Sequence, residues 1–174
     1  MTATSEGMGE RTKRNLYEAF VGEAKAHIRL LAFAGKAEEE GYSQIAKLFR
    51  AIATAEEVHA ANHLRVLGEA IVKSTEENLA FSFDKETTVN EVTYPQFIMQ
   101  AEEEGEQAAV SSFSHARDVE EGHARLYKKA MEHMLQDEVR DYYVCKVCGY
   151  TSDGVLPEEC PICGAAEEEF KKIE

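Results

Sequence analysis

The chain has 174 residues, 19 Lys+Arg against 33 Asp+Glu, a formal charge of −14, 44% hydrophobic residues and three prolines. That length suits one bundle-sized domain with a small appendage, and an acidic surface repels phosphate backbones and anionic lipid, so neither nucleic acid nor a membrane surface is an expected partner. The longest near-apolar run, around Leu30 to Ala34, is far short of the roughly 18 residues of a membrane span, and the polar stretch Met1 to Asn15 lacks the apolar core of a secretory signal, so the expected location is cytoplasmic.

Composition changes near residue 140. Before it, Ala, Leu and Glu alternate as in helices; after it, Gly, Pro, Tyr, Val and Cys suit turns and short strands. The expected division is a flexible tail over 1–13, a helical bundle over 14–138 and a small metal domain over 139–174. In the first predicted helix Leu16, Phe20, Leu30 and Leu31 share a face with Glu23. The second places Ile45, Leu48, Phe49, Ile52 and Ala53 before Glu56, and Leu64 and Leu67 after it, in one stripe expected to be buried. Ser74 followed by Glu77 reads as a capping box that opens the third helix, which contains Glu86 and, later, Pro95. In the fourth, Phe113, Ala116, Ala124, Tyr127 and Met131 flank Glu120.

The two halves repeat one another. Ala37-Glu38-Glu39-Glu40-Gly41 recurs as Ala101-Glu102-Glu103-Glu104-Gly105, and 15 residues beyond each glycine comes Glu56-x-x-His59-Ala60 or Glu120-x-x-His123-Ala124. Glu23 precedes Gly41 by 18 residues and Glu86 precedes Gly105 by 19. The one-residue surplus, together with Pro95, which has no N–H for the Glu91 carbonyl, predicts a π-type bulge in the third helix.

Four glutamates and two histidines on apolar stripes require compensation, because a buried carboxylate is paired, metal-bound or neutral. A Glu-x-x-His spacing turns the helix through about 300° and puts carboxylate and imidazole side by side. One Glu from each of two helices with Glu-x-x-His from each of the other two is the di-iron carboxylate pattern of four-helix bundles, and two divalent irons balance the four negative charges. The expected ligands are Glu23, Glu56, His59, Glu86, Glu120 and His123. Glu57, Glu121 and the triple-Glu runs are expected in solvent, and His27, His63, His115 and His133 have no ligand-like spacing.

Cys145-x-x-Cys148-Gly149 and Cys160-x-x-Cys163-Gly164, with eleven residues between the pairs, predict one tetrahedral S4 metal site. In a reducing cytosol, ligation is favoured over disulfides. The glycines allow turns whose N–H groups reach the sulfurs, and so short a segment needs the metal as its staple. The ligands by themselves leave zinc and iron open.

At this point the sequence resembles the rubrerythrins, in which a ferritin-like di-iron bundle precedes a rubredoxin-like FeS4 domain. The matching strings run from Ala19-Phe20-Val21-Gly22-Glu23 through Glu56-x-x-His59-Ala60, Asn78-Leu79 with Glu86, Tyr94-Pro95 and Glu120-x-x-His123 to both cysteine pairs. The resemblance implies an all-α ferritin-like four-helix bundle with a C-terminal rubredoxin-like domain. It implies reduction of hydrogen peroxide to water at two irons, fed through one Fe in the four-cysteine site by a rubredoxin or nicotinamide-dependent reductase. It further implies a homodimer or larger assembly in which the FeS4 domain of one subunit serves the di-iron site of another. Glu56 and Glu120 would bridge, Glu23 and Glu86 would be terminal or chelating, and His59 and His123 would each hold one iron. Tyr94 and Tyr127 fall near these ligands, as core residues or as hydrogen-bond partners of a carboxylate. One departure stands out. Family members carry a glutamate three residues after the one matching Glu86, where this chain has Val89; Glu91 would replace it only through a bulge. Two other functions fit the motifs less fully: a ferritin-like ferroxidase that handles iron, and a scaffold with redox-silent zinc in the knuckles.

Overall fold

The computed structural model describes residues 7–132 and 140–174. Two compact units form, one ending at Lys73 and one beginning at Ser74. The expected boundary at 138/139 lies outside the described residues, as do His133 and the first six residues of the expected tail.

The first unit is a helical hairpin, α1 (Glu10–Glu39) and α2 (Ser43–Leu67). Gly41, at φ 82°, takes the left-handed conformation that glycine adopts without steric cost. Around it Tyr42 N–H donates to Ala37 O at 2.8 Å and Gly41 N–H to Glu38 O at 2.9 Å, the paired bonds of a Schellman stop. The buried seam consists of Ala34 and Ala37 on α1 with Ala46, Ala53, Ala60 and Leu67 on α2, seven residues apart along the helix. Alanine at heptad spacing lets two helices approach closely along one line.

The broad stripe predicted for α2 is not buried as expected. Ala53 and Leu67 are, but Ile45, Leu48 and Ile52 are 46%, 55% and 42% exposed, and Leu31 of α1 is 42% exposed. Within the hairpin the two helices meet along a seam of alanines that ends in Leu67.

The second unit opens on the predicted capping box. Ser74 Oγ accepts from Glu77 N–H at 3.2 Å, and Ser74 N–H donates to Glu77 Oε2 at 3.3 Å, satisfying two donors that a helix start leaves free. Helix α3 (Thr75–Thr88) passes into a π-helical segment, Val89–Thr93, and then into α4 (Tyr94–Glu104). Tyr94 N–H reaches back five residues to Val89 O, and Asn90 Nδ2 donates to Arg117 O at 2.7 Å. The predicted bulge is thus present and is held against the next helix. Gly105, at φ 75°, ends α4, with Glu106 N–H donating to Ala101 O at 2.9 Å, which repeats the stop at Gly41. Helix α5 (Gln107–Glu132) returns along α3 and α4, and Phe97 and Phe113 pack with ring centroids 5.6 Å apart.

After α5 comes an antiparallel sheet of β1 (Tyr142–Cys145), β2 (Thr151–Asp153) and β3 (Phe170–Ile173), in the order β2-β1-β3. Val144 pairs with Thr151 and Cys145 with Phe170. The buried residues in this domain are Cys145, Cys160 and Ser152, so its interior is largely its cysteines. The fold class expected from the sequence, a four-helix bundle followed by a small metal domain, is borne out. Among the described residues no helix is long and apolar enough to cross a membrane.

Candidate metal centres

Each helical unit presents one triad. On α1 and α2, Glu23, Glu56 and His59 can each offer a ligand atom with all three within 4.8 Å of one another; on α3 and α5, Glu86, Glu120 and His123 do the same. The Glu-x-x-His spacing does what helical geometry requires of it. His59 Nδ1 lies 2.9 Å from Glu56 Oε2 and His123 Nδ1 lies 2.8 Å from Glu120 Oε2. The two halves of the internal repeat therefore carry the same local geometry.

Their surroundings differ. The His59 side chain is 53% exposed and that of His123 27%. Burial, then the hydrogen bond and the negative charge of Glu120, push the Glu86 carboxyl up to about 7, with only His123 opposing. A carboxyl that keeps its proton beside a second carboxylate in a partly desolvated site forms a ready cation site, because a divalent ion replaces that proton and satisfies both side chains. Tyr94 stands beside this pair. Its hydroxyl is held above the usual phenol range by burial and by the charges of Glu120 and Glu86. Tyr127 lies near the same ligands, with His123, Leu126, Tyr142 and Thr151 on the wall of a cavity of about 440 Å³. Val89 is half-buried at the start of the π segment, and Glu91 is exposed and outside the gathered triad. The bulge that could have brought Glu91 inward leaves it in solvent. Glu57 and Glu121 are exposed as expected.

The four cysteines converge. Their sulfurs lie within 4.8 Å of one another, with Cys145 Sγ 3.8 Å from Cys163 Sγ and Cys148 Sγ 3.6 Å from Cys160 Sγ. A tetrahedral ion with arms of about 2.3 Å sets its sulfurs about 3.8 Å apart, so the cage fits such an ion. Both knuckles close in the same way. Gly149 N–H donates to Cys145 O and Gly164 N–H to Cys160 O, each at 2.9 Å, at φ 85° and 72°. Burial by itself would raise the Cys145 thiol, yet hydrogen bonds from the Cys148 and Val147 amides hold it below the usual thiol range. Burial raises Cys148 and Cys163. Such a mixture is expected of four thiols that need a cation to ionise together.

Sequence reasoning missed the seat of this domain on α5. The ring nitrogen of His123 opposite the Glu120 contact, Nε2, lies 3.1 Å from Thr151 Oγ1 and 3.3 Å from the Gly149 carbonyl. Buried Val119 faces Gly149, where an added Cβ would stand 3.8 Å from Val119 Cγ1. Lys129 pairs with Asp153, a side chain only 10% exposed, with the Arg140 guanidinium 3.6 Å from the same carboxylate. The contacts that α5 makes with this domain join residues more than twenty positions apart, and no local pattern announces them. His27, set aside on the sequence, donates from Nδ1 to Ala53 O at 2.8 Å and so ties α1 to α2 one turn from Glu23 and Glu56.

Comparison with known proteins agrees in both parts of the chain. A family model described as rubrerythrin matches residues 14–131, and one described as the rubredoxin-like domain of rubrerythrin matches 143–171. Rubrerythrin-2 of Clostridium acetobutylicum is 33% identical over 171 residues, covering 90% of this chain and 93% of that protein. Nigerythrin of Nitratidesulfovibrio vulgaris is 34% identical over 182 residues, covering 98% and 90%. Solved structures of nigerythrin in a mixed-valent state and in a fully reduced, all-ferrous state each match with a TM-score of 0.56 at 34% identity, over 99% of this chain and 92% of theirs.

Proposed function

The chain belongs to the rubrerythrin family, and from that premise we propose that it is a peroxide-reducing oxidoreductase. One H2O2, two electrons and two protons give two waters. The carrying observation is the seating of the four-cysteine domain against His123: an iron handler or a scaffold has no need of an electron-transfer module placed against a ligand of its carboxylate centre.

Glu23, Glu56 and His59, with Glu86, Glu120 and His123, are the residues that would hold the iron pair of the family, and Cys145, Cys148, Cys160 and Cys163 the single iron. Iron in these sites supplies one electron at a time through the thiolates and two at the carboxylates. The all-ferrous nigerythrin among the relatives supports iron over zinc. The protein's own part is to arrange charge and protons. Four carboxylates would offset the charge of two divalent ions, Glu86 holds a proton beside Glu120 until a cation displaces it, and Tyr94 presents a hydroxyl that stays protonated at neutral pH beside them. The amide hydrogen bonds to Cys145 lower the charge density on its sulfur, which favours the reduced state of a bound ion. The donor to the thiolate centre would be a rubredoxin or a nicotinamide-dependent reductase.

The test is iron content followed by anaerobic rapid mixing of the reduced, iron-loaded protein with peroxide, observed at the FeS4 absorption. Three irons per chain, and return of the FeS4 colour with one peroxide consumed per two electrons, are expected. Zinc in the knuckles, or an FeS4 centre that stays reduced after peroxide, would refute electron relay and favour a ferroxidase or scaffolding role.

A further inference from the structure

We propose that the Thr151 hydroxyl is a positioning group that fixes the His123 ring and couples the first cysteine knuckle to it. The proposal rests on reading the two centres as a redox pair. The carrying geometry is a triangle: Thr151 Oγ1 lies 3.1 Å from His123 Nε2 and 3.3 Å from Gly149 O, and Nε2 itself lies 3.3 Å from that carbonyl.

A carbonyl only accepts, whereas a hydroxyl accepts and donates. Thr151 therefore donates to Gly149 O and receives Nε2–H, and the same proton is shared with the carbonyl. The Gly149 carbonyl, which can only accept, demands hydrogen on Nε2, and this settles the tautomer. The lone pair is then left on Nδ1, facing Glu120 Oε2 at 2.8 Å, where a proton or a cation must lie between two acceptors. His59 has the same Nδ1 contact with Glu56 but no second ring contact among the described residues, and more than half of its side chain is in solvent.

Thr151 is well placed to transmit position. It opens β2 and pairs with Val144, the neighbour of Cys145, while Gly149 directly follows Cys148. Both residues belong to the frame that holds two of the four sulfurs, so His123 is hydrogen-bonded to the cage itself. Thr151 also lines the cavity beside His123.

The test compares Thr151→Val, nearly isosteric and suited to a strand, with Thr151→Ser, which keeps the hydroxyl. In the zinc-loaded full chain, nitrogen-15 NMR should show a slowly exchanging His123 Nε2–H in the parent and in the Ser variant. In the Val variant that proton should exchange faster; in activity, the usual cost of losing an outer-shell partner of a metal ligand is about ten- to a hundredfold. In the iron-loaded chain, the Val variant should keep its iron content and FeS4 spectrum while oxidation of the FeS4 centre by peroxide slows by a similar factor, and Ser should restore it. A Val variant with parental proton exchange and parental rate overturns the proposal; faster proton exchange at an unchanged rate overturns its coupling half. If peroxide never oxidises the parent FeS4 centre, the enzyme reading fails, and the proton measurement still decides the role of Thr151.

Discussion

Glu86 shows how one side chain registers its site. Its carboxyl titrates near 7 in the folded chain against an ordinary 4.5, first because of burial and then because of Glu120. A carboxyl raised in this way contributes stability that is fully present below the unfolded value and is lost as pH rises through the folded one. In the metal-free protein, the urea midpoint of the parent relative to Glu86→Gln should therefore fall between pH 5 and pH 8. Parallel pH profiles for the two would refute the assignment. The same proton must leave when a divalent ion binds, so affinity at this triad should rise about tenfold per pH unit below 7 and level off above it. Glu-x-x-His was legible in the sequence because its geometry is local to one turn of helix. The different exposure of His59 and His123 was not, because it depends on what packs over each ring.

At the scale of elements, the π segment reconciles two spacings. Glu23 reaches Gly41 in 18 residues of uninterrupted helix, while Glu86 reaches Gly105 in 19 with a bulge between. The bulge absorbs the extra residue, so Glu86 keeps the phase that Glu23 has in α1; without it, one residue would swing the carboxylate by about 100° around the helix. Deleting exposed Glu91 should then convert Val89–Thr93 to ordinary helix and leave the Glu86 triad able to bind its metal. Deleting Arg29, in the regular run between Glu23 and Gly41, should cost the chain the metal at the Glu23 triad. Metal content per chain for the two deletions decides this, and equal losses would refute the account. The sequence exposed this bulge through a spacing mismatch and a proline. It misled about burial on α2, because periodicity identifies an apolar face without saying how much of that face a single neighbouring helix covers.

At the scale of the whole molecule, the four-cysteine domain has little interior apart from its ligands. Cys145 and Cys160 are 1% and 2% exposed, and the other buried residue there is Ser152 at 9%. A domain with so small an apolar core depends on its metal for folding. Removing the ion from the four-cysteine site should melt the three strands, free the sulfurs to thiol reagents and release the His123 Nε2 proton to solvent exchange. The helical circular-dichroism signal should be retained, since α1 to α5 bury their own seams. Loss of helix and strand in one transition would show the two parts to be a single cooperative unit.

By itself the sequence determined the helices, the turns at Gly41 and Gly105, the bulge, the six carboxylate and imidazole positions and the two knuckles. Each of these is written in spacing, capping or composition over a few residues, and helix geometry converts spacing directly into proximity. Only the tertiary structure decided that alanines and Leu67 rather than Ile45, Leu48 and Ile52 form the α1/α2 seam, that Glu91 stays in solvent, and that Thr151 and Gly149 meet His123. Those outcomes depend on which surfaces meet after the chain has turned back on itself, and contacts across more than twenty residues leave no periodic trace in the segments that make them.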